Sequence, residues 1–241
     1  MYKNRFVTAI VAAAGMGKRM NRNIGKQFLT VGDKPILAHS LKKIEECRYV
    51  DYIVIVIKKS DINYIGKILN SYNLKKPFKL VYGGKERQDS IYAGLQEMPQ
   101  RTEIVLTHDG VRPFVREKNI EKVIEAVDVT GASVLAIPVI DTIKVSLGGQ
   151  FADYTPDRSK LYAVQTPQVF LKETLLKAYK QAYREEYYGT DDCSLVEKTG
   201  IKISLVKSDN FNIKITTPED LTIAEAIIKS QEVEDENRNG I

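Results

Sequence analysis

The chain has 241 residues, 43% of them hydrophobic, which is enough to bury a sizeable core and lies within the upper range for one domain. Its formal charge of +5 rises to +8 over residues 1–230, because the last stretch, QEVEDENRNGI, carries four acids and one Arg; this bias points to an anionic partner such as a nucleotide, a sugar phosphate or nucleic acid. Two cysteines, Cys47 and Cys193, stand far apart with no CxxC or Cys/His cluster, which argues against a disulfide framework or a zinc site and for a reducing cytoplasm.

Phe6 to Ala13 reads as a buried strand rather than a signal peptide, since Gly15 and Lys18-Arg19 interrupt the apolar run and no convincing cleavage site follows. No apolar stretch approaches the roughly 18 residues of a membrane helix. Pro35 starts a helix whose Ile36, Leu37, Leu41 and Ile44 share one face. Strands are expected at Tyr52 to Ile57, Lys79 to Tyr82, Glu103 to Thr107 and Ser133 to Pro138, with a helix between the last two that carries Ile120, Val123, Ile124 and Val127 on one face. Strands alternating with helices predict an α/β single domain with a mainly parallel twisted sheet covered on both faces.

After Pro138 the pattern changes. Residues 139–161 alternate around Gly148-Gly149 and read as a protruding β-arm, too small for its own core and therefore expected to pack on a neighbour. Helices are expected at Lys172 to Glu186 and Asp192 to Thr199, and strands at Ile203 to Val206 and Asn212 to Thr216. Thr217 is a good N-cap for a last helix with Pro218 at its first position, and residues 231–241 read as a disordered tail. Neither an internal repeat nor an interdomain linker interrupts residues 1–230.

Three segments concentrate chemistry. In VAAAGMGKRM and the following GKQF, Gly15 and Gly17 allow backbone N–H groups to approach an anion, and Lys18, Arg19 and Lys26 add positive charge. That combination suits a polyphosphate, although neither a Walker loop nor the full dinucleotide fingerprint is present. In YGGKERQDSI, Gly83-Gly84 could let a flat base lie against the backbone and Ser90 offers a hydroxyl, while Asp89 or Ser90 could equally cap the helix. In THDGVRPFV, Asp109 and Arg112 follow a strand expected to be parallel, the place where ligands bind in open α/β sheets; a local ion pair is the competing reading. His108 reads as a packed or hydrogen-bonded residue rather than a base. Lys214 interrupts an apolar run just before a helix, which an edge-strand lysine would also explain.

Together AAAGMGKRM, GKQF, GGKERQDSI, HDGVRPF, DTIK, DR before QTPQVF, GTDDCSLVE and NIKITTPEDL resemble, in order, the 2-C-methyl-D-erythritol 4-phosphate cytidylyltransferases of the non-mevalonate isoprenoid pathway, over Phe6 to about Lys229. The resemblance implies a Rossmann-like nucleotidyltransferase fold. It also implies transfer of a cytidylyl group from CTP to methylerythritol phosphate, release of pyrophosphate, Mg²⁺ as cofactor and a homodimer formed through the arm. By resemblance Arg19 and Lys26 stabilise charge on the CTP phosphates, and Arg158 and Lys214 position the substrate phosphate. Ala13, Ala14, Gly15, Gly17, Gly83 and Ser90 would hold CTP; Asp109, Arg112, Thr142, Thr166 and Thr190 would contact the polyol phosphate, Thr142 and Arg158 from the partner chain. The ribitol 5-phosphate cytidylyltransferases are the nearest alternative, sharing GKQF, HDxVRPF, QTPQ and NIK. A non-catalytic nucleotide or nucleic-acid binding module is a remoter one, since the cations are split among loops and Trp is absent.

Overall fold

The computed structural model describes residues 1–15 and 25–239, with side chains as far as residue 231. Nine strands and seven helices are found among the described residues, in the order β1 (Phe6–Ala12), β2 (Thr30–Val31), β3 (Lys34–Pro35), α1 (Ile36–Glu46), β4 (Tyr52–Ile57), α2 (Ile62–Tyr72), β5 (Phe78–Tyr82), α3 (Arg87–Glu97), β6 (Thr102–Asp109), α4 (Glu117–Thr130), β7 (Ala132–Pro138), β8 (Tyr162–Leu171), α5 (Lys172–Arg184), α6 (Asp192–Glu197), β9 (Ser204–Lys207) and α7 (Pro218–Asn239). Seven strands form one sheet in the order β5-β4-β1-β6-β8-β7-β9; β2 and β3 form a separate small hairpin. All ladders of the large sheet are parallel except the two that β8 makes with β6 and β7.

Both faces of the sheet are apolar, as the near-continuous Val/Ile runs require. In β4, Ile53, Ile55 and Ile57 face a cluster with α1, α2 and α4, while Val54 and Val56 face a second cluster with α3, α5 and α6. The stripes Ile36, Leu37, Leu41, Ile44 and Ile120, Val123, Ile124, Val127 are all buried, each side chain contributing roughly 1.5–3 kcal/mol of transfer free energy. A third, smaller cluster joins α7 through Ala224 and Ile227 to Val31, Ile36, Val111, Phe114 and Ile215. This cluster matters for function because it braces the segments carrying Lys26 and Lys214.

Helix α3 lies close against β1 at Gly94, where a Cβ would meet Ile10 Cγ2 at 2.7 Å and Val56 Cγ2 at 3.1 Å. Gly94→Ala is therefore expected to destabilise the fold by about 1–3 kcal/mol through overpacking, despite Ala's better helix propensity. Urea unfolding checks this; equal or greater stability of the variant would contradict it.

Four expectations need correction. Asn212 to Thr216 forms no strand: Ile215 N–H bonds Val111 O at 3.0 Å, but Asn212 turns its side chain into Gln165 and Thr166 instead of extending a ladder. Strand β8 escapes the sequence pattern, because Pro167 and the polar Gln165, Thr166 and Gln168 interrupt it. The β7–β8 register shifts between Val134 and Ala136 where that stretch bulges. The arm is also less regular than a hairpin: its strand pairing is reduced to one antiparallel bridge, Val145 with Tyr154, and side-chain hydrogen bonds such as Lys144 Nζ to Thr155 Oγ1 at 2.6 Å and Leu147 N–H to Asp153 at 2.7 Å supplement it. Finally, α7 continues to Asn239 in place of a disordered tail from residue 231; Gln231 to Asn239 holds no Gly or Pro to stop it.

Candidate active site

Chain order and strand order together locate the crevice. From β1 the chain moves outward to β4 and β5, then returns to β6 on the other side of β1, so the carboxyl ends of β1 and β6 form a topological switch point. There Ala13 N–H bonds Val56 O at 2.8 Å and Gly110 N–H bonds Ala12 O at 2.9 Å, so the chain leaves both strands in fixed positions.

A cavity of about 470 Å³ opens at this point, with Ala13, Ala14 and Gly15 on one side and Lys26, Ser90 and Lys214 among its other walls. Lys26 begins a short 3₁₀ turn, Lys26–Phe28, tied to β1 by the buried Gln27, whose amide donates to Ala13 O at 2.8 Å. Arg19 and Gly17, expected on the same loop, lie outside the described residues. Gly83 does not line the cavity; a Cβ there would meet Ser90 Oγ at 2.6 Å and Ala14 Cβ at 2.7 Å, so it packs behind the wall that Gly84 forms. Ser90 faces the cavity while its hydroxyl donates to Glu86 O at 3.0 Å. Asp89 does cap α3, accepting Glu86 N–H at 3.0 Å within a capping box.

A second cavity, about 250 Å³, adjoins the first and is lined by Arg112, Thr166, Thr190 and Gln168. Arg87, Asp109 and Lys214 line both. Asp109, the last residue of β6, accepts from Arg87 Nε at 3.0 Å and from Lys214 Nζ at 2.7 Å. Burial opposes its ionisation, but Arg87, Lys214 and Arg112 outweigh burial and hold the carboxyl well below the usual carboxylate range. Lys214 is thus no edge-strand lysine. Arg112 is not a tight partner of Asp109: its Nε stands 3.9 Å from Oδ2, and its Nη1 donates instead to Asn212 O at 2.7 Å.

His108 supports the junction from below. Thr166 Oγ1 accepts Asp109 N–H at 3.1 Å and lies 3.1 Å from His108 Nδ1, while His108 Nε2 lies 3.1 Å from Arg112 O. We assign the neutral tautomer in which Thr166 donates to Nδ1 and Nε2–H donates to the carbonyl. Burial pushes the imidazole down to about 4. Below about pH 6.5 the unfolded chain takes up a proton that the native state refuses until about pH 4. Stability is therefore full above that window and falls through it as the pH drops, by about 3 kcal/mol. His108→Gln is expected to flatten this part of the profile in urea unfolding at pH 7.5 and 4.5; an equal loss in variant and parent would contradict the assignment.

Thr142 and Arg158 stand apart from these cavities. Both are exposed on the arm, with Arg158 Nη1 donating to Ile140 O at 2.8 Å. Sequence reasoning missed Lys58 and Lys85, which add cations to the larger cavity, and gave no role to Arg87 or Asp192. Lys58 follows the carboxyl end of β4, so the strand-end argument applied to Asp109 could have found it. With Lys26, Arg87 and Lys214, the described cations of the larger cavity outnumber its carboxylates, Glu86 and Asp109. The geometry offers a basic cleft beside a smaller polar one, with no Ser/His pair among the described residues of either.

Comparison with known proteins agrees with this arrangement. A family model described as 2-C-methyl-D-erythritol 4-phosphate cytidylyltransferase matches residues 7–230. Curated relatives of that name from Clostridioides difficile and Halalkalibacterium halodurans are 45% and 44% identical, over 95% and 93% of this chain and 97% and 98% of theirs. The crystal structure of 4-diphosphocytidyl-2C-methyl-D-erythritol synthase from Anaerococcus prevotii superposes with a TM-score of 0.84 at 35% identity, covering 94% of this chain and 97% of that one. The Thermus thermophilus cytidylyltransferase gives 0.75 at 28%, covering 93% and 99%. The chain belongs to the 2-C-methyl-D-erythritol 4-phosphate cytidylyltransferase family.

Proposed function

We propose that the protein transfers the cytidylyl group of CTP to 2-C-methyl-D-erythritol 4-phosphate, giving 4-(cytidine 5'-diphospho)-2-C-methyl-D-erythritol and pyrophosphate for isoprenoid precursor synthesis. The observation that carries this reading is the junction of two cavities at Arg87, Asp109 and Lys214, one large enough for a nucleoside triphosphate and the other small and polar. CTP occupies the larger cavity between Ala13-Ala14-Gly15 and Ser90, with Gly83 supporting that wall, and by family resemblance Gly17 and Arg19 act on its phosphates. The polyol phosphate occupies the smaller one against Asp109, Arg112, Thr166 and Thr190.

A phosphate monoester is already a nucleophile at neutral pH, so no Ser/His pair is required. Its oxygen attacks the α-phosphorus of CTP, a new P–O bond forms, and the bond to the β-phosphate breaks to release pyrophosphate. Attack brings two anions together, and catalysis rests on positioning and on preorganised cations: Arg19 and Lys26 on the nucleotide side, Lys214 and Arg158 on the acceptor side.

Among the described residues no group of three His, Cys, Asp or Glu could hold a metal ion. The donor set of the larger cavity instead fits Mg²⁺ carried by the triphosphate oxygens and waters, with Asp109 the carboxylate nearest the junction. Bound in this way the ion would neutralise triphosphate charge, and the protein's own cations would orient the phosphates.

The arm exposes Leu147 (85%) and Phe151 (76%) as well as Ile140 and Tyr154, an apolar surface that fits a homodimer in which Thr142 and Arg158 reach the partner's site. Among the described residues no helix is long and apolar enough to cross a membrane. With two buried free thiols, Cys47 and Cys193, we place the protein in the cytoplasm, acting on small molecules and not on nucleic acid.

The route of the label tests the reading. CTP labelled at the α-phosphate should deliver its label to the organic product, and CTP labelled at the γ-phosphate should deliver it to pyrophosphate. Label from the γ-position in the organic product would overturn it.

A further inference from the structure

We infer that Arg87 is a positioning residue, whose planar fork ties Asp109 to the buried carboxylate of Asp192 and thereby fixes the carboxylate that the acceptor's hydroxyl groups meet. The inference rests on the reading of the smaller cavity as the acceptor site.

Arg87 is the first residue of α3, Asp109 the last of β6 and Asp192 the first of α6, so the three converge from separate elements. Arg87 Nε donates to Asp109 Oδ1 and one Nη donates to Asp192 Oδ2, each at 3.0 Å. Asp192 is itself held: Thr107 Oγ1 and Tyr179 Oη donate to its two oxygens, both at 2.7 Å. It is only 1% exposed and lines neither cavity, whereas Arg87 and Asp109 line both. Asp192 therefore reaches the acceptor through Arg87.

The charge arrangement explains why an arginine stands at this point. Two ionised carboxylates buried near one another repel, and a cation between them offsets that repulsion. Lys214 answers Asp109 on its other oxygen, but Thr107 and Tyr179 give Asp192 only neutral donors, so Arg87 is the cation that serves it. A lysine offers a point charge that meets one carboxylate well; the guanidinium offers two nitrogens in a fixed plane and can meet both. With Oδ1 held by Arg87 and Oδ2 by Lys214, the Asp109 carboxylate cannot rotate. Its remaining lone pairs are then held in fixed directions at the wall that Asp109 contributes to both cavities.

Steady-state kinetics with Arg87→Lys, Asp192→Asn and the double variant test this. In Arg87→Lys, kcat/KM for methylerythritol phosphate is expected to fall about 10- to 100-fold, as a misplaced contact does, while the KM for CTP moves less than about threefold. Asp192→Asn is expected to reproduce the same split at about tenfold, although it touches no cavity. The double variant should be no worse than Arg87→Lys alone, because the two residues act as one unit. A purely structural role would lower the melting temperature and the active fraction, reducing kcat/KM for both substrates alike. An equal loss on both substrates, a normal Asp192→Asn enzyme, or singles whose effects multiply would each overturn the inference. If the parent protein used ribitol 5-phosphate instead, the acceptor assignment would fail, while the same split measured on that acceptor would still decide the role of Arg87.

Discussion

Lys26→Ala is expected to cut kcat by about 10²–10³-fold while the KM for CTP shifts by no more than about threefold. The reason lies in when the charge is needed. In the proposed complex CTP in the ground state would be met by backbone from Ala13 to Gly15 and by several of the cations that line the larger cavity, so one fewer should weaken binding little. Attack by a second phosphate concentrates negative charge around the α-phosphorus, and a preorganised ammonium at that point is worth roughly 2–4 kcal/mol in the transition state. Gln27 supplies the preorganisation, since its buried amide pins the turn that Lys26 begins to the end of β1. Stopped-flow or steady-state turnover with equilibrium CTP binding checks the split. Undiminished turnover would remove Lys26 from the catalytic set; loss of CTP binding with little change in kcat would make it a ground-state contact.

Arg158→Ala is expected to lower kcat/KM for the polyol phosphate by about 10- to 100-fold, the magnitude of one or two charge-assisted hydrogen bonds, with CTP binding preserved. Arg158 stands exposed on the arm and lines neither cavity of its own chain, so in the proposed homodimer the defect would arise in the partner's site. A mixed dimer separates the cases. Pairing an Arg158→Ala chain with a Lys26→Ala chain leaves one site with both cations intact if the arms cross, and about half the parental activity should return, as two symmetric sites require. No recovery would mean that each site is completed by its own arm.

Much of the fold is legible in the chain because local pattern and tertiary environment agree. The largely apolar runs of β1 and β4 fit burial on both faces of a sheet and the stripes of α1 and α4 fit packing against it, and all are buried there. Legibility fails where side chains replace the ladder. Strand β8 carries Gln165, Thr166, Pro167 and Gln168, which look like loop yet run through the middle of a strand paired on both sides. Residues 212–216 look like strand and are instead pinned by Asn212.

The site divides in the same way. Glycines and cations beside a strand end mark the larger cavity because anion binding needs those residue types in that local order. Asp109 could be found because it ends a parallel strand. The pairing of Arg87 with Asp192 could not, since both lie in segments of other apparent purpose, 105 residues apart along the chain, and only the tertiary fold brings the starts of α3 and α6 within hydrogen-bond reach. Lys214 is ambiguous in the sequence for a related reason: its partner, Asp109, is distant along the chain, so the lysine looks like an interruption.

The central claim is that the smaller cavity selects the acceptor for a cytidylyl transfer. Pyrophosphate release measured side by side with 2-C-methyl-D-erythritol 4-phosphate and ribitol 5-phosphate, each with CTP and Mg²⁺, tests it most directly. Release with the first and little with the second is the expected result; release only with ribitol 5-phosphate, or with neither, would contradict it.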